Sequence, residues 1–216
     1  LLDEKPYDPL TYDNLGRSIS EALLRRPALP LAALPLFNGA GIYALYYVGE
    51  KKPYEAYLPL AEAHKNAPFS RPIYVGKAEL SGARKGRRDV QLLETKLADR
   101  LRQHAKSISS AYTTLHIDDF YCHYLIVESV WIPLGESILI NLTRPVWNMV
   151  VEGFGNHDPG SGRAAGIRPM WDTIHPGRTW SERLPVRAET TDKIDQRIKR
   201  FFAGDTTVVL PETQNI

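Results

Sequence analysis

The sequence predicts an α+β fold, and three observations carry that prediction. Short runs rich in β-forming residues occupy positions 40–48, 72–77 and 120–127. Between the second and third runs, Val90, Leu93, Leu97 and Leu101 make an apolar stripe at helical spacing. After the third run, Pro133-Leu134-Gly135 turns the chain into an apolar helix that must end before Pro145. The predicted order is β, β, α, β, α.

Taken from the N-terminus, Asp13 or Asn14 is placed to cap a short helix through Ile19, Leu23 and Leu24, stopped by Pro27. Residues 27–35 are apolar and proline-studded and read as an extended arm without an element of its own. The first strand, 40–48, contains Ile42, Leu45, Tyr46, Tyr47 and Val48, and the second is 72–77. An insertion at 50–71 separates them and holds a helical turn from 54 to 64, with Tyr57, Leu60 and Ala61 on one side. The helix at 89–108 carries Lys96, Arg100 and His104 at i, i+4 on a line beside its apolar stripe. That spacing sets a guanidinium and an imidazole side by side at the edge of the core-facing surface. Residues 120–127 form the third strand, and the next helix begins near Glu136.

Beyond Asn148 the texture changes. Residues 153–179 are rich in Gly, Pro, Arg and His, too long a stretch for an ordinary connector. With Arg163, Arg168, Arg178, Trp171 and Trp180 it reads as ordered and ligand-contacting, because tryptophans rarely sit in idle linkers. A last helix spans 191–202, using Ile194, Ile198 and Phe201. The organisation is an N-terminal arm (1–39), a core (40–148) with insertions at 50–71 and 81–88, and a C-terminal extension (149–216), together one compact domain.

Composition narrows the class. Of 216 residues, 43% are apolar, a normal share for a globular protein, and no apolar run approaches the ~20 residues of a membrane helix. No signal-peptide plan is visible, so a soluble, cytoplasmic protein without membrane partners is expected. Cys122 is the only cysteine, which excludes an intrachain disulfide, and its neighbours Phe120, Tyr124 and Ile126 place it in a buried strand. A net charge of +2 is too small to diagnose a nucleic-acid ligand. Local charge says more: between 81 and 106 stand Arg84, Lys85, Arg87, Arg88, Lys96, Arg100, Arg102 and Lys106 against Asp89, Glu94 and Asp99. A run like this fits a phosphate-facing surface as well as a solvated helix. His157-Asp158 with His175 offers metal-ligating types, but the spacing is irregular and such loop histidines read as solvent-exposed.

Two tripeptides supply the sharpest signal. Gly41-Ile42-Tyr43 and Tyr74-Val75-Gly76 are followed by Arg100 and His104, then by Glu136 and Asn148. One given tripeptide occurs on the order of once per several thousand positions, so the tripeptides alone would be weak. The ordered set is specific, and over roughly residues 40–148 it resembles the GIY-YIG nucleases.

That resemblance implies a three-stranded, mainly antiparallel sheet flanked by helices, the tripeptides on neighbouring strands and Arg and His on the following helix. It implies Tyr43 as general base, Arg100 on the scissile phosphate, and Glu136 as ligand of one divalent cation, magnesium with manganese as a substitute. A phenol of ordinary pKa near ~10 needs help to act as a base, and His104, Lys77 or the metal could each provide it. Tyr74 is expected to hydrogen-bond within the site, and Asn148 to organise the end of the Glu136 helix or a water. Two departures stand out: Tyr46 and Tyr47 could compete with Tyr43, and the longer chain before Arg100 adds the basic loop 81–88.

With one catalytic core and large insertions around it, the layout is similar to type II restriction endonucleases, and its flanks to those sharing the SacII palindrome CCGCGG. This implies double-stranded DNA as substrate, a homodimer on the palindrome, and a cognate DNA methyltransferase acting alongside. Arg84, Lys85, Arg87, Arg88, Arg163, Arg168 and Arg178 are the DNA-contact candidates, since arginines suit guanines in the major groove. A repair or recombination nuclease that reads branched DNA, and a non-catalytic DNA-binding protein of the same fold, are the competing readings.

Overall fold

Strand β2 (Gly41–Tyr47) organises the molecule because all seven of its residues are buried. A strand covered on both faces reads as a continuous apolar run, which explains why this segment lacks in/out alternation. A computed structural model of the chain describes residues 8–80, 94–158 and 166–211. In it β2 pairs antiparallel with β3 (Tyr74–Ala78) on one side and with β4 (Phe120–Ile126) on the other. A fourth strand, β1 (Leu29–Pro30), pairs antiparallel with β4 at Cys122 and Tyr121, giving the order β1-β4-β2-β3.

The expected three-stranded sheet therefore has four strands, and the arm at 27–35 is not free of structure. Pro30 has no N–H to give to a ladder, which confines this strand to the edge and keeps it to two residues. It continues into a 3-10 turn, Leu31–Ala33, whose Leu31 is buried.

Helices cover both faces. Tyr43, Leu45 and Tyr47 point into a core shared with Leu97, Leu101 and Ile108 of α3 (Lys96–Ser110). Further along the chain, Trp147, Phe154, Trp171, Ile194 and Ile198 enter the same core. Ile42, Ala44 and Tyr46 face the other way, toward Leu23 of α1 (Tyr12–Leu24) and Ile132 and Leu139 of α4 (Ile132–Thr143). Alternation along β2 thus sends Tyr43 and Tyr46 to opposite faces, which removes Tyr46 from competition for the Tyr43 role.

Tyr47 is used elsewhere. Its hydroxyl donates to the Lys52 carbonyl at 3.0 Å and accepts from the Tyr54 N–H at 2.7 Å, anchoring the insertion. Asp119, fully buried, fixes the same root by accepting from the N–H groups of Glu50, Lys51 and Lys52 at 2.7, 2.7 and 2.8 Å. Charge-assisted bonds of this kind compensate the burial of a carboxylate. The insertion then forms a 3-10 turn, Glu55–Tyr57, and α2 (Leu58–Asn66).

Several boundaries differ from the sequence reading. Helix α1 is capped by Thr11, whose hydroxyl accepts from the Asn14 N–H at 3.3 Å, so Asp13 and Asn14 lie inside the helix. Helix α4 starts four residues before Glu136, because Pro133 occupies its first turn, where a missing N–H costs nothing. Residues 89–93 of the predicted third helix lie outside the described residues.

After α4, Arg144 adopts φ +45° and the chain reverses into the short α5 (Val146–Met149). The remainder holds α6 (Met170–Ile174), α7 (Thr179–Glu182) and α8 (Thr191–Phe202). No helix among the described residues is long and apolar enough to cross a membrane.

Candidate active site

The register of β2 against β3 brings the two tripeptides together, pairing Tyr43 with Gly76 and Gly41 with Ala78. Both signature glycines are required by space. A Cβ at Gly76 would lie 2.4 Å from the Tyr43 hydroxyl, and one at Gly41 would lie 2.0 Å from the Leu125 carbonyl oxygen. Any side chain at 76 would push the phenol away from its partner, and one at 41 would force β2 from β4.

That partner is His104. The Tyr43 hydroxyl and His104 Nε2 are 2.6 Å apart, with the tyrosine 0% and the histidine 1% exposed. Burial, with the neighbouring Tyr74 adding to it, raises the Tyr43 pKa well above its ordinary value, against the positive charge of Arg100, which lowers it. Burial pushes His104 well below its ordinary value, and Arg100, His157 and Arg178 push it further. Both groups are therefore neutral. In the tautomer with the imidazole proton on Nδ1, the phenol O–H donates to Nε2. His104 lies on the core face of α3 rather than at its edge.

Tyr74 completes the cluster, its ring 6.2 Å from Tyr43 and 5.4 Å from His104. Burial raises its pKa, while the positive charge of Arg100 opposes the rise. Arg100 is thus the cation acting on both phenols. Lys77, a candidate for that task from the sequence, commits its ammonium to carboxylates: Glu79 Oε1 and Glu136 Oε2 each lie 3.2 Å from its Nζ.

Glu136 is three-quarters buried at its side chain, and burial raises its pKa, with Lys77 pulling it back down. This ion pair keeps the carboxylate charged in a place that disfavours charge. No group of three or more His, Cys, Asp or Glu side chains forms a metal cage among the described residues. One partly exposed carboxylate suits a hard cation that retains its waters, such as magnesium, and would not suit a structural zinc. The ammonium between Glu79 and Glu136 shows that this pocket accepts positive charge.

Asn148 does something other than expected. Its amide donates to the Val75 carbonyl at 2.9 Å and accepts from the Val75 N–H at 2.8 Å. β3 is an edge strand, so this side chain replaces the missing neighbour and holds the second tripeptide in line. These bonds of its side chain go to the second tripeptide and not to the end of the Glu136 helix.

The fourth wall of the site was invisible in the motif. Residues 153–157 pass over it: Phe154 stacks on His104 with ring centres 4.5 Å apart, and the Gly155 carbonyl accepts from Arg100 Nη2 at 2.8 Å. His157 Nε2 accepts from Arg100 Nη1. A Cβ at Gly155 would sit 2.8 Å from the Tyr74 hydroxyl, so only glycine permits this approach.

Arg178 holds the wall in place. It is paired with Asp172 through two bonds and donates to the carbonyls of Gly153, Phe154 and Asn156 at 2.9, 3.1 and 3.1 Å. Its guanidinium also lies 4.6 Å from the Trp171 ring and 4.8 Å from that of Trp180. At 5% exposure it cannot reach a duplex, so its assignment as a DNA contact is corrected to a buried strap. Removing one partner of such a pair costs about 3–5 kcal/mol.

The other basic candidates divide in two. Arg168 is partly exposed and donates to the carbonyls of Ser181 and Glu182 at 3.2 and 3.1 Å. Arg84, Lys85, Arg87, Arg88 and Arg163 lie outside the described residues.

Two further groups are placed in the core. Cys122 is buried with its thiol pKa raised to about 12, which removes it as a nucleophile. His175, read as a solvent-exposed loop histidine, is fully buried, and its Nε2 and Nδ1 bond Tyr57 and Thr114 at 2.8 and 2.9 Å. Neither nitrogen is left for a metal.

Residues 35–202 match the family model described as the Eco29kI GIY-YIG domain, a span that includes both tripeptides, α3, α4 and the strap at Arg178. No curated protein matches the chain.

Proposed function

The chain belongs to the Eco29kI GIY-YIG family of restriction endonucleases, and from that premise we propose a magnesium-dependent type II enzyme that hydrolyses both strands of a short DNA palindrome. CCGCGG is the first candidate site, and a homodimer acting beside a cognate methyltransferase is the assembly that a palindrome calls for. The observation that carries the reading is the neutral Tyr43–His104 pair, with the charges of Arg100 and Glu136 both close enough to act on the phenol.

Hydrolysis needs an activated water, charge stabilisation on the phosphoryl group, and help for the departing 3′ oxygen. With its raised pKa, Tyr43 is no standing phenolate; it works as a relay. As the water oxygen bonds to phosphorus, its proton passes to the Tyr43 oxygen while the phenolic proton moves to His104 Nε2. The P–O3′ bond breaks with its electron pair on the 3′ oxygen, which is protonated from solvent, and His104 then releases the proton it received.

Arg100 offers a planar, permanently charged donor set to the phosphoryl oxygens as their charge grows. Glu136 would hold the magnesium ion, which when bound supplies positive charge at the phosphoryl and departing oxygens. Until then Lys77 keeps that carboxylate ionised.

The test is Glu136→Gln. Specific duplex binding survives and magnesium-dependent cutting of unmethylated DNA falls by about a hundred- to a thousandfold, the scale on which losing a charge-stabilising group acts. Undiminished cutting by this variant would remove Glu136 as the metal ligand. Discrete fragments from wild-type protein would give the cognate site, whereas cutting of branched DNA alone would contradict the restriction reading.

A further inference from the structure

We propose that His157, from the segment after α5, is a positioning residue of the active site that fixes the plane of the Arg100 guanidinium. The inference rests on the nuclease reading of Arg100 given above. A guanidinium is planar and carries five N–H donors and no acceptor, so its orientation is set by the acceptors around it. Two close acceptors meet its terminal nitrogens here, the Gly155 carbonyl on Nη2 and His157 Nε2 on Nη1, while Gln103 Oε1 reaches Nη1 only at 3.5 Å, the long limit of a hydrogen bond.

These acceptors differ in kind. The Gly155 carbonyl is backbone, anchored on both sides by the bonds of Arg178 to Gly153, Phe154 and Asn156. His157 is an exposed side chain lining an open cleft of about 600 Å³ with Asn156, Ile167 and Trp180, so it meets Arg100 from the solvent side. Since Arg100 can only donate, Nε2 must present its lone pair, and the imidazole is neutral with its proton on Nδ1.

Two fixed acceptors hold the plane of a guanidinium; one leaves it free to rotate about that single bond. The positive charge of Arg100 also acts on the hydroxyls of Tyr43 and Tyr74, so a rotated guanidinium would move its charge relative to both phenols. Misplacement of a reacting group by about 1 Å costs roughly a hundredfold in rate. Loss of His157 therefore appears in the chemical step. Folding and duplex affinity do not depend on it, because the side chain is exposed and Arg100 keeps its charge.

The experiment uses the full chain with Glu136 intact, a defined cognate duplex and magnesium, and follows single-turnover cleavage beside affinity measured in calcium. His157→Ala is expected to slow cleavage by about ten- to a hundredfold, with the affinity and the melting temperature unchanged. His157→Gln, whose amide oxygen can accept from the guanidinium, recovers most of the loss. In parallel, imidazole 15N shifts of wild-type protein show His157 protonated on Nδ1, and this signature changes in Arg100→Ala.

Wild-type cleavage by His157→Ala, a loss of affinity that accounts for the slower rate, or no recovery with Gln would each overturn the proposal. A wild-type chain that cuts no DNA would overturn the nuclease reading, and the nitrogen shifts would then decide alone whether His157 holds Arg100.

Discussion

The molecule contains two buried tyrosine–histidine hydrogen bonds that look alike in isolation. Tyr43 meets His104 at 2.6 Å, and Tyr57 meets His175 at 2.8 Å. In both, burial raises the phenol and lowers the imidazole, so each pair is neutral. Their surroundings differ.

Around Tyr57 the proton order closes on itself. Trp147 Nε1–H donates to the Tyr57 oxygen at 2.7 Å, Tyr57 donates to His175 Nε2, and His175 Nδ1–H donates to Thr114, which donates to the Ala111 carbonyl. Every member has its partner, and the two aromatic groups serve the core. Around Tyr43 stand Arg100, Glu136 and two glycines that keep space open against its hydroxyl and that of Tyr74. Under the proposed mechanism, charge beside a neutral relay is useful when a phosphate and a water arrive. On that reading, what flanks the pair decides the chemistry; the pair itself is common to both places.

The largest expected effect breaks this comparison directly. Tyr43→Phe should reduce cleavage by about 10²–10⁴-fold, the range of a lost general acid–base group, in a kinetic assay on cognate duplex. Tyr57→Phe, the same atom removed from the other pair, should leave the cleavage rate within about twofold. Equal losses in rate would mean that the two pairs are not functionally distinct. Next comes Gly76→Ala: its methyl falls on the Tyr43 hydroxyl, so cleavage should drop about a hundredfold with little change in duplex affinity.

The same Tyr57→Phe variant carries a smaller effect on stability. It leaves the Trp147 N–H and a histidine nitrogen without their partner, and denaturant unfolding should show a loss of about 1–3 kcal/mol.

A further effect is on pH dependence. His175 has a folded pKa of about 3 against an ordinary 6.5, so the unfolded chain binds the proton more readily. Its contribution is intact above pH 6.5 and is lost as the pH falls from there toward 3, at up to about 1.4 kcal/mol per pH unit. His104 acts in the same direction. Urea midpoints that stay level across this window would contradict the buried, neutral state of both imidazoles.

Much of the fold was legible, and what was missed has particular causes. The runs at 40–48, 72–77 and 120–127 match β2, β3 and β4 within two residues at each end, because uninterrupted β-formers in a doubly covered sheet leave few alternatives. The final helix was legible to the residue, since Ile194, Ile198 and Phe201 repeat at helical spacing between polar neighbours. β1 escaped because a two-residue edge strand ending in proline has no pattern of its own. The start of α4 was set too late because Pro133 signals a turn and a helix's first turn equally well.

In the site, the tripeptides and the i, i+4 spacing of Arg100 and His104 were readable as residue types at fixed separations. Arg178 was misread because arginine is usually exposed. What marks it otherwise is Asp172 and two tryptophans nearby, and those signal burial only once the loop is folded.

By itself the sequence determined the sheet's main strands and the membership of Tyr43, Tyr74, Arg100, His104 and Glu136 in one constellation. These follow from short-range periodicity and from motifs whose partners are adjacent strands or helix turns. Only the tertiary structure decided that Tyr43 rather than Tyr46 or Tyr47 meets the histidine, that Asn148 completes the edge of β3, and that residues 153–157 close the site under the hold of Arg178. Each of those depends on which face of the sheet a side chain leaves, or on a contact between residues far apart in the chain. Local pattern does not encode such contacts, because burial and hydrogen-bond partners exist only once the layers have packed.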